Sequence, residues 1–421
     1  MITKIAILIF ISFLIDLVNY FGLKKMLYRF RDSGIYFILL KAYIYIGVLL
    51  LIYFIGHFFY IGNPGIDFIK FRSYFFLFGL YALLYIPRII FLDFVLLQWI
   101  YYVFKKFFIS ASSYRVSRLP KRSYIIQKIG LVISFFSFIL VLYGMIWGKS
   151  DFIARENTVY FKDLPKGFEG FKLVHFSDAH LGSFTNRADV IKGLDLIKAQ
   201  NADIVVFTGD MVNNIADEML DYIPDFKNIK SKYGKFAILG NHDMGDYLKW
   251  KDASLKYKEL QRMIEFEQQM GFEMLLNQNK VIYRNGDSIA LLGVENWGKP
   301  PFKQYGDLSK ALNGVENVKF KILLSHDPSH FMQRVKSKED IQLTLSGHTH
   351  GLQVGFRCCG IKWSPISMLY KQWNGLYEYA DQYLYVSPGF GYIGLPARIG
   401  IRPEITVITL RNIDSKEFQN E

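Results

Sequence analysis

The first 150 residues contain four apolar stretches long enough to cross a lipid bilayer, and this feature strongly limits the folds open to the chain. A bilayer core about 30 Å thick needs about 20 apolar residues of helix. The stretches run over 5–23, 42–61, 74–97 and 125–147. We therefore predict an all-α transmembrane domain over 1–148 with about four spans. A cleavable signal peptide is the alternative for the first stretch, but no small-residue cleavage site follows it and three further spans do.

Three ionisable residues lie within these apolar stretches. Asp16, Arg88 and Asp93 would be costly at membrane depth unless they pair or line a cavity. One interpretation is a polar path or a substrate contact. The favoured interpretation is pairing or snorkelling that holds the helices together. The third stretch stays apolar to Phe104 and contains Pro87, which predicts a tilted or kinked helix.

The positive charge of the chain is concentrated in this transmembrane part. Residues 1–150 hold 17 Lys and Arg, 4 Asp and no Glu, whereas residues 151–421 hold 33 basic and 33 acidic side chains. The basic residues flank apolar runs, which favours membrane flanks over nucleic-acid binding. The loops at 24–31 and 105–122 hold ten of them, so these loops are predicted to be cytoplasmic. If the third stretch crosses once, both termini and the polar domain lie outside the cytoplasm.

Beyond residue 148, strand and helix patterns alternate. We predict a linker and entry strand over 149–170, an α/β domain over 171–412 and a C-terminal tail over 413–421. The predicted buried strands are Phe171–Phe176, Ile204–Phe207, Phe236–Leu239, Ile322–Leu324 and Leu343–Leu345, and the predicted helices include Arg187–Ala199 and Tyr247–Met270. The only cysteines, Cys358 and Cys359, are neighbours and build no disulfide framework.

Each of the five predicted strands is followed by carboxylate, imidazole or amide side chains. The segments are Ser177-Asp178-Ala179-His180, Gly209-Asp210, Gly240-Asn241-His242-Asp243, Ser325-His326-Asp327 and Gly347-His348-Thr349-His350-Gly351. Five of the eight histidines fall in these segments. Ligands collect beyond the carboxyl ends of strands in α/β folds, and the glycines allow sharp turns there. Any one segment alone is typical of a turn, but their joint occurrence predicts a metal site.

The mixture of side chains indicates which metals fit. Imidazole with carboxylate suits Mn, Fe or Zn better than Ca, and the absence of thiolates argues against structural zinc. Two cations about 3.5–4 Å apart can clamp the attacking and leaving oxygens of a phosphoryl displacement. One carboxylate must then bridge them.

The five segments resemble those of the calcineurin-like metallophosphoesterases, and in particular their bacterial membrane-associated branch. The resemblance covers roughly Asp163 to Leu410 and not the transmembrane part. It implies a four-layer α/β/β/α sandwich that binds two divalent metal ions, Mn first and Fe or Zn as alternatives. It implies that Asp178, His180 and His350 hold one metal, that Asn241, His326 and His348 hold the other, and that Asp210 bridges both.

The resemblance also implies a mechanism. A hydroxide shared by the two metals would attack phosphorus, His242 would protonate the leaving oxygen, and Asp243 would orient His242. Leu352 and Pro388 depart from the family pattern near the expected substrate entrance, which puts the branch's substrate preference in doubt. His175 and His330 fall outside the pattern. We expect the first in the strand core and the second at the surface or behind a metal ligand.

The segment Arg357–Tyr379 combines aromatic and basic residues. One interpretation is a lip that reaches lipid-borne substrate at the membrane interface, and the other is a packed surface excursion.

The predicted function is hydrolysis of a phosphodiester or pyrophosphate bond in a phosphorylated small molecule, nucleotide or lipid, by an integral protein of the bacterial cytoplasmic membrane with its catalytic domain on the extracytoplasmic side. Relatives suggest UDP-2,3-diacylglucosamine, which would need a cytoplasmic site. The alternatives are a transporter or sensor bundle with a regulatory phosphoesterase, or a scaffold without catalysis.

Overall fold

The computed structural model describes residues 2–61, 67–111, 124–358 and 360–414. Within them the chain divides into two compact units. The first contains residues 2–61, 76–111 and 124–143, and the second contains residues 67–75 and 144–414. Part of the predicted basic loop 105–122, Cys359 and most of the predicted tail lie outside the described residues.

Four long helices form the transmembrane part. They are α1 Ile2–Met26, α2 Gly34–Ile61, α3 Phe68–Ala111 and α4 Ile125–Ile146. All four are long and apolar enough to cross a membrane. α3 is one continuous helix of 44 residues with Pro87 inside it, so the third apolar stretch does not turn back. At 1.5 Å per residue it is about 66 Å long and exceeds the thickness of a bilayer core.

Two of the three ionisable residues of the apolar stretches pair with each other. The guanidinium Nη1 of Arg88 lies 2.7 Å from Asp16 Oδ1, and both residues are mostly buried in the first unit. The hydroxyls of Tyr43 and Tyr85 donate to the two oxygens of Asp16 at 3.1 and 3.0 Å. These contacts support the pairing interpretation. Asp93 is exposed on α3 and does not join them.

The second unit is built on two six-stranded sheets and a short hairpin. The first sheet has the order β1-β14-β2-β3-β4-β5, and the second has the order β12-β13-β9-β8-β7-β6. The strands are β1 Ile153–Phe161, β2 Phe171–Phe176, β3 Ile204–Phe207, β4 Lys235–Ala237, β5 Glu273–Met274, β6 Gln278–Arg284, β7 Asp287–Gly293, β8 Lys321–Leu324, β9 Leu343–Ser346, β10 Phe356–Cys358, β11 Ile361–Trp363, β12 Gly375–Tyr379, β13 Gln382–Val386 and β14 Glu404–Asn412. β10 and β11 form the hairpin.

The two sheets pack face to face between two layers of helix, as predicted. Leu173 and Ile204 of the first sheet share a buried core with Ile322 and Leu343 of the second. The helices that follow the first four are α5 Arg187–Ala199, α6 Ile223–Lys227, α7 Ala253–Gln269 and α8 Leu308–Leu312. α5 to α7 cover the outer face of the first sheet, and α8 packs on that of the second.

The apolar runs explain why the central strands formed where they were predicted. β2 and β3 have the predicted bounds, and every residue of β3 is buried, as expected of parallel strands covered on both faces. α5 also has the predicted bounds, and the Asn186 side chain caps it by accepting from Ala188 N at 3.0 Å. α7 begins later than predicted because Asp252 caps it. β5 to β7 intervene between the third and fourth polar segments.

Candidate metal centre

The five polar segments come together although they follow strands of two different sheets. β2, β3 and β4 are parallel neighbours in the first sheet, and β8 and β9 are parallel neighbours in the second. Their carboxyl ends therefore share one edge of the sandwich. The structure brings all seven predicted ligands to this edge, in two adjoining groups. We call Asp178, His180 and His350 the first group, and Asp210, Asn241, His326 and His348 the second group.

The first group converges on one point. His180 Nε2 lies 3.0 Å from His350 Nε2, and His350 Nε2 lies 3.2 Å from Asp178 Oδ1. All three side chains are buried. One nitrogen from each imidazole and one carboxylate oxygen lie within 4.8 Å of one another, which is the spacing that ligands of one cation require.

The second group converges in the same way. Asn241 Oδ1 lies 3.1 Å from His326 Nε2 and 2.8 Å from His348 Nδ1. Asp210 Oδ2 lies 3.2 Å from His326 Nε2. The amide thus presents its oxygen, the atom a cation would bind, to the same point as two imidazole nitrogens and a carboxylate.

Asp210 also faces the first group. Its Oδ2 lies 3.7 Å from His180 Nε2, while the same oxygen contacts the second group. This position between the groups is the one that a bridging carboxylate needs.

The imidazoles are anchored through the nitrogens that face away from the two points. His180 Nδ1 lies 3.1 Å from Val212 O, and His326 Nδ1 lies 2.7 Å from Thr208 O. His348 Nε2 lies 3.1 Å from the hydroxyl of Tyr370. Such partners orient imidazoles that bind metals and set which nitrogen is free to do so. Within the described chain, His350 Nδ1 is buried without a hydrogen-bond partner.

Five of the seven predicted ligands have left-handed backbone conformations. Their φ values are 55° at Asp178, 44° at His180, 61° at Asp210, 70° at His348 and 51° at His350. Residues other than glycine rarely adopt this region, and such strain is concentrated at functional sites. The strained backbone turns these side chains inward at the ends of their strands.

Close backbone approach explains two of the glycines beside the ligands. A Cβ at Gly347 would overlap Ser177 Oγ and Asp178 Oδ2. Gly209 has a φ of 91°, and a Cβ there would overlap the backbone of Gly240. Larger residues at either position would push the ligand loops apart.

The electrostatics of the site favour an anionic Asp210, a neutral His180 and a protonated His326. Burial raises the pKa of Asp210, but the neighbouring His326 and His242 outweigh burial and hold that pKa well below its usual range. Burial and the neighbouring His350 lower the pKa of His180. Burial lowers the pKa of His326 too, but the charge of Asp210 raises it to about 10 overall. A cation at the same oxygen would compete with that proton.

The chemistry of this donor set fits a pair of divalent cations. The first group offers two imidazoles and a carboxylate, and the second offers two imidazoles, an amide oxygen and the carboxylate of Asp210. Imidazole, carboxylate and amide suit Mn, Fe and Zn.

His242 stands at the edge of this site. Its backbone N–H donates to Asp210 Oδ1 at 2.8 Å, and its ring lies 4.9 Å from the ring of His180. Its Nδ1 lies 2.7 Å from Asn213 O, and its ring stacks on Tyr247 at 4.4 Å. The second ring nitrogen is thus the one that remains for a substrate.

The contacts of Asp243 do not support its predicted role as the group that orients His242. Asp243 Oδ2 accepts from the backbone N–H groups of Asp210 and Gly240 at 2.7 and 2.8 Å, and Oδ1 accepts from Met211 N at 2.8 Å. The Asn213 carbonyl orients the ring of His242 instead. Burial and the charge of Asp210 raise the pKa of Asp243 to about 7. Asp243 therefore holds together the loops that carry the ligands.

Sequence reasoning missed Tyr370 and Asp327 behind the second group. The hydroxyl of Tyr370 donates to Asp327 Oδ2 at 3.2 Å while contacting His348 Nε2. Asp327 Oδ2 lies 3.6 Å from the same nitrogen. Asp327 stands in the predicted motif next to His326. The only signal in the sequence for Tyr370 is its position in the aromatic segment after β11.

The two histidines outside the pattern are both buried. His175 lies in β2 with its Nε2 2.8 Å from Thr208 Oγ1, which confirms the prediction of a strand core residue. His330 is not at the surface. Its Nδ1 lies 2.8 Å from the hydroxyl of Ser325, the residue before the predicted ligand His326.

Comparison with known proteins identifies both parts of the chain. The family model described as "Calcineurin-like phosphoesterase" matches residues 171–352. The model described as "Probable Calcineurin-like phosphoesterase, transmembrane domain" matches residues 2–149. The expectation that the resemblance leaves out the transmembrane part is therefore wrong.

Individual relatives are named as phosphoesterases as well. The chain is 32% identical over 263 residues to the uncharacterized metallophosphoesterase YkuE of Bacillus subtilis, covering 61% of this chain and 85% of that protein. It is 29% identical over 284 residues to a "Transmembrane protein with metallophosphoesterase domain" of Danio rerio, covering 65% of this chain and 60% of that protein. Among solved structures, the NAD nucleotidase of Haemophilus influenzae is 14% identical with a TM-score of 0.36, covering 52% of this chain and 51% of its own.

Proposed function

Because this chain belongs to the calcineurin-like metallophosphoesterases, we propose that it is a membrane-anchored enzyme that hydrolyses a phosphodiester or pyrophosphate bond with two divalent cations, Mn before Fe or Zn. The observation that supports this most directly is the position of Asp210 between two convergent groups of ligands. The first group would hold one cation, the second group would hold the other, and Asp210 would serve both. A scaffold without catalysis would not need seven ligands in this arrangement.

Bound cations would neutralise charge on the phosphoryl oxygens and lower the pKa of a nearby water. The residues of the chain supply the remaining functions. His242 Nδ1 donates to Asn213 O, so the ring gives the proton of its other nitrogen to the leaving oxygen as an imidazolium. Burial lowers the pKa of His242, and the charge of Asp210 opposes this and favours the imidazolium. Asp243 joins the loop of Asp210 to the loop of Asn241, because its carboxylate accepts hydrogen bonds from Asp210 N and Gly240 N.

The substrate we propose is a lipid-linked or nucleotide phosphate on the extracytoplasmic side of a bacterial cytoplasmic membrane. Two features support the orientation. The basic loops predicted to be cytoplasmic hold most of the positive charge near the spans, and α3 is one continuous helix, which agrees with four crossings. The pairing of Asp16 with Arg88 gives these residues a structural role, which weakens the case for a transport path.

Hydrolysis is tested with the full chain in an uncharged detergent. The substrates are bis(p-nitrophenyl) phosphate, p-nitrophenyl phosphate and a nucleoside diphosphate sugar. We expect hydrolysis of a diester or pyrophosphate that a chelator abolishes and Mn restores. Asp210→Asn should lose more than about 100-fold in turnover, since even residues behind metal ligands typically cost 10- to 100-fold when changed. Asp221→Ala, which changes an exposed aspartate, is the matched control. Full activity of Asp210→Asn, or no rescue by any divalent metal, would refute the proposal.

The orientation has a separate test. Protease added to sealed right-side-out vesicles should digest the C-terminal domain before the vesicles are lysed. Protection of the domain until lysis would place it in the cytoplasm and favour substrates such as UDP-2,3-diacylglucosamine.

A further inference from the structure

A second, cationic cleft lies in the α/β unit, and none of the nine predicted site residues lines it. Its volume is about 680 Å³. Four cationic side chains line it, Arg155, Arg357, Lys362 and Arg402, with Glu404 as the one carboxylate. A cavity with this excess of positive charge attracts an anion.

Two of the four cations remain available for a ligand. Arg155 Nε contacts Glu404 at 2.6 Å and Arg402 Nη2 contacts Asp151 at 2.7 Å, so these two are already neutralised. Among the described residues, Arg357 and Lys362 form no ion pair. The ammonium of Lys362 donates to Asn374 O at 2.7 Å, which fixes its position without neutralising its charge.

The hairpin of β10 and β11 carries both available cations and has two unlike faces. Its strands pair Phe356 with Trp363 and Arg357 with Lys362. Because side chains alternate between the faces of a strand, the two cations share the face that lines the cleft, and the two aromatic residues share the other. The rings of Phe356 and Trp363 stack at 6.1 Å, and both side chains are exposed. Aromatic residues next to Lys and Arg are typical of the membrane interface.

Hydrogen bonds connect this hairpin to the end of a membrane span. Gly144, in the last turns of α4, accepts a hydrogen bond from Arg398 N at 3.2 Å and belongs to the same compact unit as the cleft. The next residue, Ile399, donates to Gln353 O at 2.7 Å and accepts from Gly355 N at 2.9 Å, directly before β10. The hairpin therefore follows backbone that is linked by hydrogen bonds to the last turns of α4.

We propose that the cleft and the hairpin together bind the anionic headgroup of a membrane phospholipid. Arg357 and Lys362 hold the phosphate in the cleft, and Phe356 and Trp363 lie among the acyl chains at the interface. None of the predicted metal ligands lines this site, and lipid binding there does not depend on hydrolysis. The proposal assigns a specific ligand and specific residues to the aromatic and basic segment Arg357–Tyr379, for which the sequence suggested a role at the membrane interface.

The experiment measures lipid binding to the full chain by native mass spectrometry in an uncharged detergent. The probes are palmitoyl-oleoyl phosphatidylglycerol, which is anionic, and palmitoyl-oleoyl phosphatidylcholine, which is not. The test variants are Arg357→Gln and the double variant Arg357→Gln/Lys362→Gln. The matched control, Lys251→Gln/Lys258→Gln, removes two exposed charges elsewhere. Lipid bound along the transmembrane helices is common to all variants and cancels in the comparison.

We expect tighter binding of phosphatidylglycerol than of phosphatidylcholine. A basic residue near an anionic lipid surface contributes about fivefold in affinity, so the single variant should lose about fivefold and the double variant about 25-fold. The control should match the original chain. The single variant leaves Lys362 and its contact with Asn374 intact, so it remains informative if the double variant unfolds.

Three results would overturn the proposal. The first is phosphatidylglycerol affinity of a folded single variant within about twofold of the original chain. The second is equal binding of the two lipids. The third is displacement of phosphatidylglycerol by an equal concentration of glycerol 3-phosphate, since the ligand would then be a soluble phosphate and the apolar face of the hairpin would add nothing.

Discussion

The contacts of Asp243 predict that removing this side chain collapses the metal centre without removing any ligand. Its carboxylate accepts three short hydrogen bonds from the backbone N–H groups of Asp210, Met211 and Gly240. Asp243 is buried, so water cannot replace it. A buried donor left without an acceptor costs about 1–3 kcal/mol, and three such donors cost about 3–9 kcal/mol. The whole stability of a domain is about 5–15 kcal/mol.

Asp243→Asn and Asp243→Ala separate hydrogen bonding from simple loss of a side chain. The single amide oxygen of Asn can serve Asp210 N and Gly240 N together, which leaves Met211 N and the more distant Val212 N without an acceptor. We therefore expect Asp243→Asn to cost about 1–3 kcal/mol and Asp243→Ala about 3–9 kcal/mol. Metal content and turnover should fall in the same order, because the loops of Asp210 and Asn241 lose their common partner.

The assay is thermal unfolding of the full chain in detergent, with metal content per protein and hydrolysis of bis(p-nitrophenyl) phosphate measured on the same samples. Asp221→Ala is again the exposed control. An Asp243→Ala variant with an unchanged unfolding midpoint and a full metal complement would refute the reasoning. A loss of turnover with an unchanged unfolding midpoint and a full metal complement would instead support the role of Asp243 in orienting His242.

Three further predictions concern single side chains. His242→Ala should keep its metals but lose about 10²–10⁴-fold in turnover for poor leaving groups and less for p-nitrophenolate, and equal losses across a leaving-group series would contradict the acid role. Tyr370→Phe removes the hydroxyl beside His348 and should weaken metal binding about 10-fold. Competition with a chelator measures this affinity. Unchanged affinity would show that the hydroxyl does not orient the imidazole of His348. Burial, with a smaller effect of Lys230, lowers the pKa of Lys235 from 10.5 to about 8. Between pH 8 and pH 10.5 the unfolded state therefore binds more protons than the folded state, and the free energy of unfolding rises with pH. Lys235→Met should flatten that rise, measured as the free energy of unfolding against pH. Equal slopes in the two proteins would contradict the prediction.

The ligands of this site were accessible from sequence because each directly follows a buried strand. Ile204–Phe207 is apolar throughout and Phe171–Phe176 is apolar except for Lys172 and His175, which defines both the strand and the position of its carboxyl end. Once those ends are placed, parallel pairing brings the next residues to one edge. The two-sheet sandwich came from the family resemblance and not from these patterns.

The supporting contacts were not accessible in the same way. Whether Asp243 points toward the ring of His242 or toward the amides of a neighbouring loop depends on how two loops are placed in space, and sequence spacing carries no information about it. Tyr370 lies 22 residues beyond His348 and reaches it only because the chain returns after β11. The start of α7 was misplaced for a local reason, since the apolar pattern continued upstream of the cap at Asp252.

The loops that carry the ligands are hydrogen-bonded to one another, so the two groups cannot respond independently to mutation. Asp178 N donates to Gly209 O at 2.9 Å, and His180 N donates to Asp210 O at 3.1 Å. Both bonds join a proposed ligand of the first group to the loop of Asp210, the proposed bridge. Residues that share a network show large non-additive effects, whereas distant residues do not. A change in the first group should therefore also disturb the second, and a loss of both cations after one substitution would reflect this shared backbone as well as the bridge.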